Sequence, residues 1–259
     1  MSEINSEIFD LYHECYGNAF FVSLWKRAWG EEYPPEIEPL SSATRTLLRQ
    51  LLNELRGCGP GSRLLDLGCG SGGVGCWLAR ELGTRLVGVD FSPRAIELAR
   101  SHAGNFLPAG RAEFHVGDFV DTGLDTDSVD LAVSVDALIM APDVDAALKE
   151  VRRILVRGGR LVFTTREAER DSERRALVGP EWRYALDRNG LATTKIIKRP
   201  EVAGLWKRVF SLWLDNEERL RAELPSGTVD LLIEEASAGK ASLAQDRDWL
   251  LISATGQPA

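Results

Sequence analysis

The sequence predicts an α/β protein with a seven-stranded, mostly parallel sheet, helices on both faces, a helical N-terminal segment and a helical cap inserted before the last strand. From Arg63 onward, short apolar strands alternate with amphipathic helices, an order that predicts parallel strands joined by right-handed crossovers. Before Arg63 the pattern is helical. The stretch of about fifty residues before the last strand is too long for a bare loop, which predicts a helical insertion.

The predicted strands are short apolar runs bounded by turn residues or helices. They lie at Arg63–Leu67, Arg85–Asp90, Ala112–Val116, Val129–Val135, Arg160–Thr165, Ala192–Lys198 and Asp248–Thr255. Helical spacing of apolar residues predicts the intervening helices at Gly73–Leu82, Pro93–His102, Val144–Val156 and Glu181–Arg188. In such a sheet, ligands bind beyond the carboxyl ends of the strands, near the switch in strand order.

The first sixty residues predict three helices: Ile4–Cys15, Ala19–Trp29 and a third that Ser41 and Ser42 cap and that runs to about Leu55. The whole pattern divides the chain into an N-terminal helical cap segment (residues 1–60), a sheet core (61–199), a helical cap insertion (200–247) and the last strand of the core (248–259).

Composition favours a globular protein that acts on small molecules. The 259 residues are 44% hydrophobic and 27% charged, and the net charge of -8 does not suit binding to a polymeric nucleic acid. The sequence has no apolar run long enough to span a membrane, and its acidic, polar start does not resemble a signal peptide. We therefore expect a cytoplasmic protein without a nucleic-acid or membrane partner; a homodimer is left open. Four cysteines and three histidines without ligand spacing predict no metal site.

A glycine-rich turn follows the first strand, in the run from Asp66 to Gly73, DLGCGSGG. Gly68 and Gly70 lack the Cβ atoms that would keep a ligand from the backbone, and the next helix offers free N–H groups at its N-terminus. This signal alone is ambiguous, since residues 70–75 also satisfy the dinucleotide-binding spacing GxGxxG.

Acidic residues at the strand ends narrow the choice of ligand. Asp66 precedes the glycines, where its carboxylate can help to hold a cationic α-amino group. Asp90 ends the second strand, where it can accept hydrogen bonds from two ribose hydroxyls. Asp118 follows the third strand beside Phe119, where it can accept from an adenine amino group.

The motifs DLGCGSGG, VGVDFS, GDF, VDLAVSVDAL and ILVRGGRLVF, in this order, resemble the class I S-adenosylmethionine-dependent methyltransferase family over roughly residues 40–255. The resemblance implies a Rossmann-like fold, S-adenosylmethionine as the cofactor, and donor contacts at Asp66, Gly68, Gly70, Asp90, Phe91, Asp118, Phe119 and the backbone near Ser134. The fourth strand lacks the Asn/Asp-Pro-Pro-Tyr/Phe sequence of nucleic-acid and glutamine amino-methylating relatives. The pattern is therefore most similar to the small-molecule branch.

Catalysis by in-line displacement mainly requires that the acceptor be held close to the donor and aligned with it. His13, in the aromatic N-terminal segment, is the first candidate for a general base. Asp136, at the active edge of the sheet, is either an acceptor contact or a local cap. The resemblance favours an N-terminal helix closing over the donor, with Tyr16 nearest to it.

The acceptor is predicted to be a small aromatic or otherwise apolar metabolite. Trp25 and Trp206 lie in two aromatic-rich segments outside the predicted donor site, and large aromatic side chains suit a water-poor pocket. Two alternatives remain. One is an NAD-dependent oxidoreductase, on the glycine spacing alone and without a Tyr-x-x-x-Lys pair. The other is a non-catalytic S-adenosylmethionine-binding protein.

Overall fold

The computed structural model of the chain describes residues 6–168, 181–243 and 247–257. Seven strands form one sheet in the order β3-β2-β1-β4-β5-β7-β6, and β7 is antiparallel to both of its neighbours. The strands are β1 Arg63–Leu67, β2 Arg85–Asp90, β3 Ala112–Val116, β4 Val129–Ser134, β5 Leu155–Ala168, β6 Leu191–Lys198 and β7 Arg247–Gly256. This confirms the predicted fold class, and the switch in strand order lies between β1 and β4.

Ten helices of the described chain accompany the sheet: α1 Ser6–His13, α2 Ala19–Trp29, α3 Arg45–Leu55, α4 Gly73–Leu82, α5 Pro93–His102, α6 Val144–Ile154, α7 Trp182–Arg188, α8 Glu201–Asp215, α9 Glu217–Glu223 and α10 Ser226–Ser242. The last three form the predicted insertion. Among the described residues, no helix has both the length and the apolar composition needed to cross a bilayer.

Several predicted helix ends are wrong by one or more residues: α1 ends at His13 and not at Cys15, and α7 begins at Trp182 and not at Glu181. The residue that caps α3 is Thr44, and not Ser41 or Ser42, because the helix begins at Arg45. The Oγ1 of Thr44 accepts a hydrogen bond from the backbone N–H of Leu47 at 3.0 Å. The helix predicted to reach Val156 ends at Ile154, because the chain joins β5 at Leu155, opposite Val129 of β4.

Three apolar clusters hold the fold together. Two of them cover the faces of the sheet, and α3, α4 and α5 contribute to one, while α6 and α7 contribute to the other. The third, which we call the cap core, joins α2 to α8, α9 and α10 and includes Trp25, Trp29 and Trp213. Helix α2 of the predicted N-terminal cap segment therefore packs against the helices of the predicted cap insertion, and the domain division itself stays a prediction.

Candidate functional site

The glycine loop between β1 and α4 is closely packed at Gly68 and open at Gly70. Gly68 has φ +75°, and a Cβ there would come within 2.3 Å of the Ala137 Cβ, so only glycine fits. Gly70 also has a left-handed φ of +52°, but a Cβ at Gly70 would meet nothing within 4 Å. The space that a side chain would fill at Gly70 is thus available for a ligand to contact the backbone, as the donor implied by the resemblance requires.

Asp90 lies beside this loop and is held by backbone donors. Its Oδ2 accepts a hydrogen bond from Gly70 N at 2.8 Å, and its Oδ1 accepts one from Ser92 N at 3.0 Å. Burial raises the pKa of Asp90. Each carboxylate oxygen keeps a further lone pair. The orientation is therefore fixed, and the group retains the capacity to accept from a pair of hydroxyls.

Asp66 is 2% exposed and faces the first turn of α4. Its Oδ2 accepts from Gly75 N at 2.9 Å, and a Cβ at position 75 would come within 2.5 Å of that oxygen, which explains the glycine there. Burial raises the pKa of Asp66 to about 7. Asp66 therefore anchors α4 beneath the loop, and its predicted contact with an α-amino group stays a prediction.

The other predicted donor contacts lie around the same loop. Phe91 packs edge-to-face on Phe9 of α1, with ring centroids 5.3 Å apart. Phe119 lies beside Gly68, 3.5 Å from where a Cβ would stand. Ser134 is buried and joins β1 to the chain after β4, donating to Leu67 O at 2.8 Å and accepting from Leu138 N at 3.0 Å.

Asp118 is more exposed than the other acidic residues of the predicted donor site. Its Oδ1 accepts hydrogen bonds from the backbone N–H groups of Val120 at 2.7 Å and Asp121 at 2.8 Å. The carboxylate therefore stabilises the turn after β3. Its predicted contact with adenine stays a prediction.

Helix α1 lies against the carboxyl edge of the sheet. Ser92 Oγ donates to Asp10 Oδ1 at 2.6 Å, which joins α1 to the residue that caps α5. His13 and Tyr16 have ring centroids 5.0 Å apart. Burial lowers the pKa of His13, and its Nδ1 is buried without a hydrogen-bond partner in the part of the chain that the structure describes. Burial and the charge of Glu38 raise the pKa of Tyr16, and a hydrogen bond with Ser71 of the glycine loop opposes that shift.

Glu38 is a residue of this site that the sequence analysis missed. It accepts a hydrogen bond from Ser71 Oγ in the glycine loop, and its Oε1 lies 3.0 Å from His102 Nδ1 at the end of α5. The neighbouring Ile37 packs on Gly73, where α4 begins. No local spacing marks Glu38; the only signal is an acidic residue inside a proline-bounded segment.

Asp136 is the centre of a hydrogen-bond network that also includes residues missed from the sequence. Its Oδ1 accepts from Ser42 Oγ at 2.9 Å and from Thr164 Oγ1 at 2.8 Å, and its Oδ2 accepts from Ser42 N. Arg199, which is 1% exposed, donates to Ser42 Oγ at 3.1 Å and to Ser42 O at 3.0 Å. Both carboxylate oxygens are thus already engaged by the protein. The predicted catalytic role of Asp136 stays a prediction. The geometry favours a role in which Asp136 positions the surrounding chain.

The two predicted acceptor residues meet in the cap core. The rings of Trp25 and Trp206 pack edge-to-face with centroids 5.2 Å apart; Trp25 is fully buried and Trp206 is partly exposed. Neither indole N–H has a hydrogen-bond partner among the residues that the structure describes. Across the part of the chain that the structure describes, no three or more His, Cys, Asp or Glu side chains are grouped so that they could bind a metal ion.

Comparison with known proteins shows that this site lies in the part of the chain that matches a protein-family model. Residues 65–163, which carry the glycine loop, Asp90 and Asp118, match a family model described as a methyltransferase domain. The chain is 33% identical over 130 residues to methyltransferase GfsG of Streptomyces halstedii, covering 50% of this chain and 46% of that protein. It is 29% identical over 163 residues to O-methyltransferase cnsE of Penicillium expansum, covering 63% and 56%. The chain thus spans about half the length of these relatives.

Solved structures share the fold at low sequence identity. Phosphoethanolamine N-methyltransferase 2 of Haemonchus contortus, in complex with S-adenosyl-L-methionine, superposes with a TM-score of 0.65 at 19% identity, over 94% of this chain and 58% of that one. The [4+2]-cyclase SpnF superposes with a TM-score of 0.70 at 17% identity, over 95% and 96%. Identities this low indicate a shared fold and no more.

Proposed function

We infer the activity of this chain from its family: it belongs to the class I S-adenosylmethionine-dependent methyltransferases, and we propose that it transfers a methyl group from S-adenosylmethionine to a small molecule. The observation that carries the proposal is the pairing of Gly70, whose backbone faces open space, with the fixed carboxylate of Asp90. These two groups suit the methionine and ribose parts of the donor, and they lie at the switch in strand order where such sheets bind ligands.

When bound, the donor supplies a sulfonium-activated methyl group, so the chain mainly has to bind and orient its two substrates. Gly68 and Gly70 bring the backbone close to the donor, while Asp90 orients the ribose. Helix α1, held by the contacts of Phe9 with Phe91 and of Asp10 with Ser92, covers this edge and limits the access of water.

The acceptor that we propose is a small aromatic or otherwise apolar molecule. Trp25 and Trp206 lie in the cap core, and neither indole N–H has a hydrogen-bond partner among the described residues. A bound acceptor with a carbonyl or ether oxygen would accept from the indole of Trp206, the more exposed of the two. Relatives named for O-methylation and N-methylation are both similar to this chain. Their names therefore do not choose the acceptor atom, and the choice has to come from this chain's own residues.

The function is tested by mixing the chain with methyl-labelled S-adenosylmethionine and a panel of small metabolites. We expect S-adenosylhomocysteine to bind and label to pass to at least one panel member. Failure to bind S-adenosylhomocysteine contradicts the proposal. SpnF, which is named a [4+2]-cyclase, shares this fold, so the fold alone does not determine the reaction. Donor binding with conversion of a panel member but no label transfer would contradict the proposed methyl transfer.

Replacing Asp90 by alanine is expected to weaken S-adenosylhomocysteine binding by about 1–3 kcal/mol, because the ribose hydroxyls lose a charged acceptor. Isothermal titration calorimetry measures the change. Asp118→Ala is expected to act more mildly, since a single adenine contact is lost. Asp125→Ala, on the exposed surface, is the control and should bind like the wild type. Unchanged affinity of a folded Asp90→Ala protein would refute the assignment.

Replacing Trp206 by leucine, or Trp25 by phenylalanine, is expected to raise the KM for the acceptor about tenfold, which corresponds to about 1.4 kcal/mol. Affinity for S-adenosylhomocysteine should stay within about twofold, because the donor loop is untouched. Trp182→Phe is a matched control for Trp25→Phe, since Trp182 is as buried as Trp25 but packs on Phe163 in the sheet core. If the Trp206 and Trp25 variants use the same acceptor as well as the control does, these tryptophans serve packing only.

A further inference from the structure

The connecting segment, residues 33–44, leads to α3 and contacts loops on both sides of the switch in strand order. On one side, Glu38 accepts a hydrogen bond from Ser71 Oγ in the glycine loop that follows β1. On the other side, Ser42 donates from its backbone N–H and from Oγ to Asp136, which follows β4. The connecting segment therefore joins the two loops between which a sheet of this kind binds its ligand.

This segment has little conformational freedom where it meets the glycine loop. Pro39 directly follows Glu38, and a residue before proline is largely confined to extended backbone. Ile37 is buried against the start of α4, where a Cβ at Gly73 would lie 3.2 Å from the Ile37 Cγ2. Because Gly73 has no side chain, the segment can approach the glycine loop closely, and Glu38 is held beside Ser71.

Both carboxylate oxygens of Glu38 have partners. Oε2 accepts a hydrogen bond from the Ser71 hydroxyl, and Oε1 lies 3.0 Å from His102 Nδ1 at the end of α5. Ser71 is buried, so its hydroxyl needs the acceptor that Glu38 supplies. A hydrogen bond to a carboxylate is also stronger than one between neutral groups. These contacts orient Glu38 toward the loop and fix the side chain of Ser71.

Ser71 is held differently from its two neighbours in the glycine loop. Gly70 N donates to Asp90 Oδ2 at 2.8 Å, and Gly72 N donates to Cys69 O at 2.9 Å. Within residues 6–168, 181–243 and 247–257, the Ser71 N–H has no hydrogen-bond acceptor, so the bond between its hydroxyl and Glu38 holds this position. Open space for a ligand begins at the adjacent Gly70. The placement of Ser71 therefore affects the loop where the methyl donor is proposed to bind.

We propose that Glu38 is a positioning residue for the methyl donor: by holding Ser71, it keeps the glycine loop in the conformation that binds S-adenosylmethionine. This inference rests on the proposed methyltransferase function. It adds to the site a residue that lies outside the matched domain, residues 65–163. The role requires a hydrogen-bond acceptor and not a charge. Glutamine can supply it, because its carbonyl oxygen accepts from Ser71 and its NH₂ group can donate to a neutral His102 ring.

The test measures the affinity of the full chain for S-adenosylhomocysteine by calorimetry and its stability by urea unfolding. The variants are Glu38→Ala, Glu38→Gln, Ser71→Ala and the double variant with alanine at both positions. Glu36→Ala is one control, since Glu36 is exposed and lies two residues before Glu38. Glu32→Ala is the other. Its carboxylate accepts from the N–H and Oγ1 of Thr46 at 2.9 Å each, so its loss loosens the start of α3 without touching the glycine loop.

Glu38→Ala and Ser71→Ala should each weaken S-adenosylhomocysteine binding about tenfold. The double variant should bind no more weakly than either single variant, because all three remove the same hydrogen bond. Glu38→Gln should stay within about threefold of the wild type, since the bond is kept without its charge. Glu36→Ala and Glu32→Ala should bind like the wild type, although Glu32→Ala is expected to be less stable.

A Glu38→Ala protein that is less stable but binds S-adenosylhomocysteine like the wild type would overturn the proposal. Additive losses in the double variant, equal losses in Glu38→Gln and Glu38→Ala, or an equal loss in Glu32→Ala would overturn it too. Should Glu38→Ala fail to fold, Ser71→Ala still decides, since its unchanged affinity would overturn the proposal. Failure of the wild type to bind S-adenosylhomocysteine would instead refute the proposed function, so the two failures are distinguishable.

Discussion

Replacing Arg199 by methionine is expected to lower the free energy of unfolding by about 3 kcal/mol, because a buried charged network loses its cation. The guanidinium donates to Ser42 Oγ and Ser42 O, and its charge balances the nearby Asp136. Burial lowers the pKa of Arg199, while Asp136 and Glu201 oppose that change. Methionine fills a similar volume but leaves the Ser42 carbonyl and the Asp136 carboxylate undercompensated. Urea unfolding followed by circular dichroism measures the loss.

Two further variants serve as controls for this stability measurement. Arg199→Lys keeps the positive charge but cannot make both guanidinium hydrogen bonds to Ser42, so we expect it to recover part of the lost stability. Lys207→Met removes an exposed cation from α8 and should change stability by less than about 0.5 kcal/mol. Equal stability of Arg199→Met and Lys207→Met would show that the network does not hold the fold.

The same variant is expected to weaken donor binding, because the network continues to the glycine loop. Asp136 has φ +57°, a strained conformation for a residue with a side chain, and its hydrogen bonds to Ser42 and Thr164 hold it there. The next residue, Ala137, packs on Gly68. If Arg199 is lost, Asp136 is freer to relax and Ala137 to move. Arg199 also directly precedes Pro200 and α8. Its side chain therefore links the start of the cap insertion to the carboxyl edge of the sheet, where the glycine loop lies.

The positions of the predicted donor residues along one edge of the sheet can be predicted from the sequence, because they are set locally, while their contacts with the donor stay a prediction. Gly68, Gly70 and Asp90 lie at strand ends, and the alternation of strands and helices brings strand ends to one edge. A side chain at Gly68 would clash with Ala137, so the residue type itself reports the close approach. Spacing and residue type along the chain are then sufficient to place these groups.

Glu38, Ser42, Arg199 and Glu235 escape sequence analysis for the opposite reason. Each makes its informative contact with a residue far away along the chain, as Arg199 does with Ser42 and Glu235 with Tyr12. No repeat or spacing records such a pairing, because the partners meet only when the cap packs on the sheet. Ser42 illustrates the consequence: a serine just before a helix favours a cap, yet its hydroxyl bonds Asp136.

The aromatic segments are an intermediate case. The spacing of Trp206, Phe210 and Trp213 predicts a helix with one apolar face, and α8 has it. The spacing of these residues along the chain does not predict which element covers that face. The structure shows that α2 does, with Phe21 and Trp213 stacked at 5.8 Å, so the two segments complete each other's burial.

Stability is expected to fall as the pH rises from about 4 to about 7, and Asp66 is expected to supply a large share of that fall. Its folded pKa of about 7 lies above the usual value, so the folded chain holds a proton in this window that the unfolded chain has released. Raising the pH therefore favours the unfolded state, by at most about 4 kcal/mol for three pKa units. Urea unfolding at about pH 5 and about pH 8 measures the slope.

Asp66→Asn is the decisive comparison, because an amide stays neutral across this range while other buried acids such as Asp90 still titrate. We expect its stability to depend less on pH than that of the wild type, and parallel curves would contradict the assignment. The same pair of proteins tests the donor contact. A cationic α-amino group near Asp66 would lower its pKa, so S-adenosylhomocysteine binding near pH 6 should release a proton from the wild type and not from Asp66→Asn. Calorimetry in buffers of different ionisation enthalpy measures that proton, and equal release from both proteins would place the α-amino group away from Asp66.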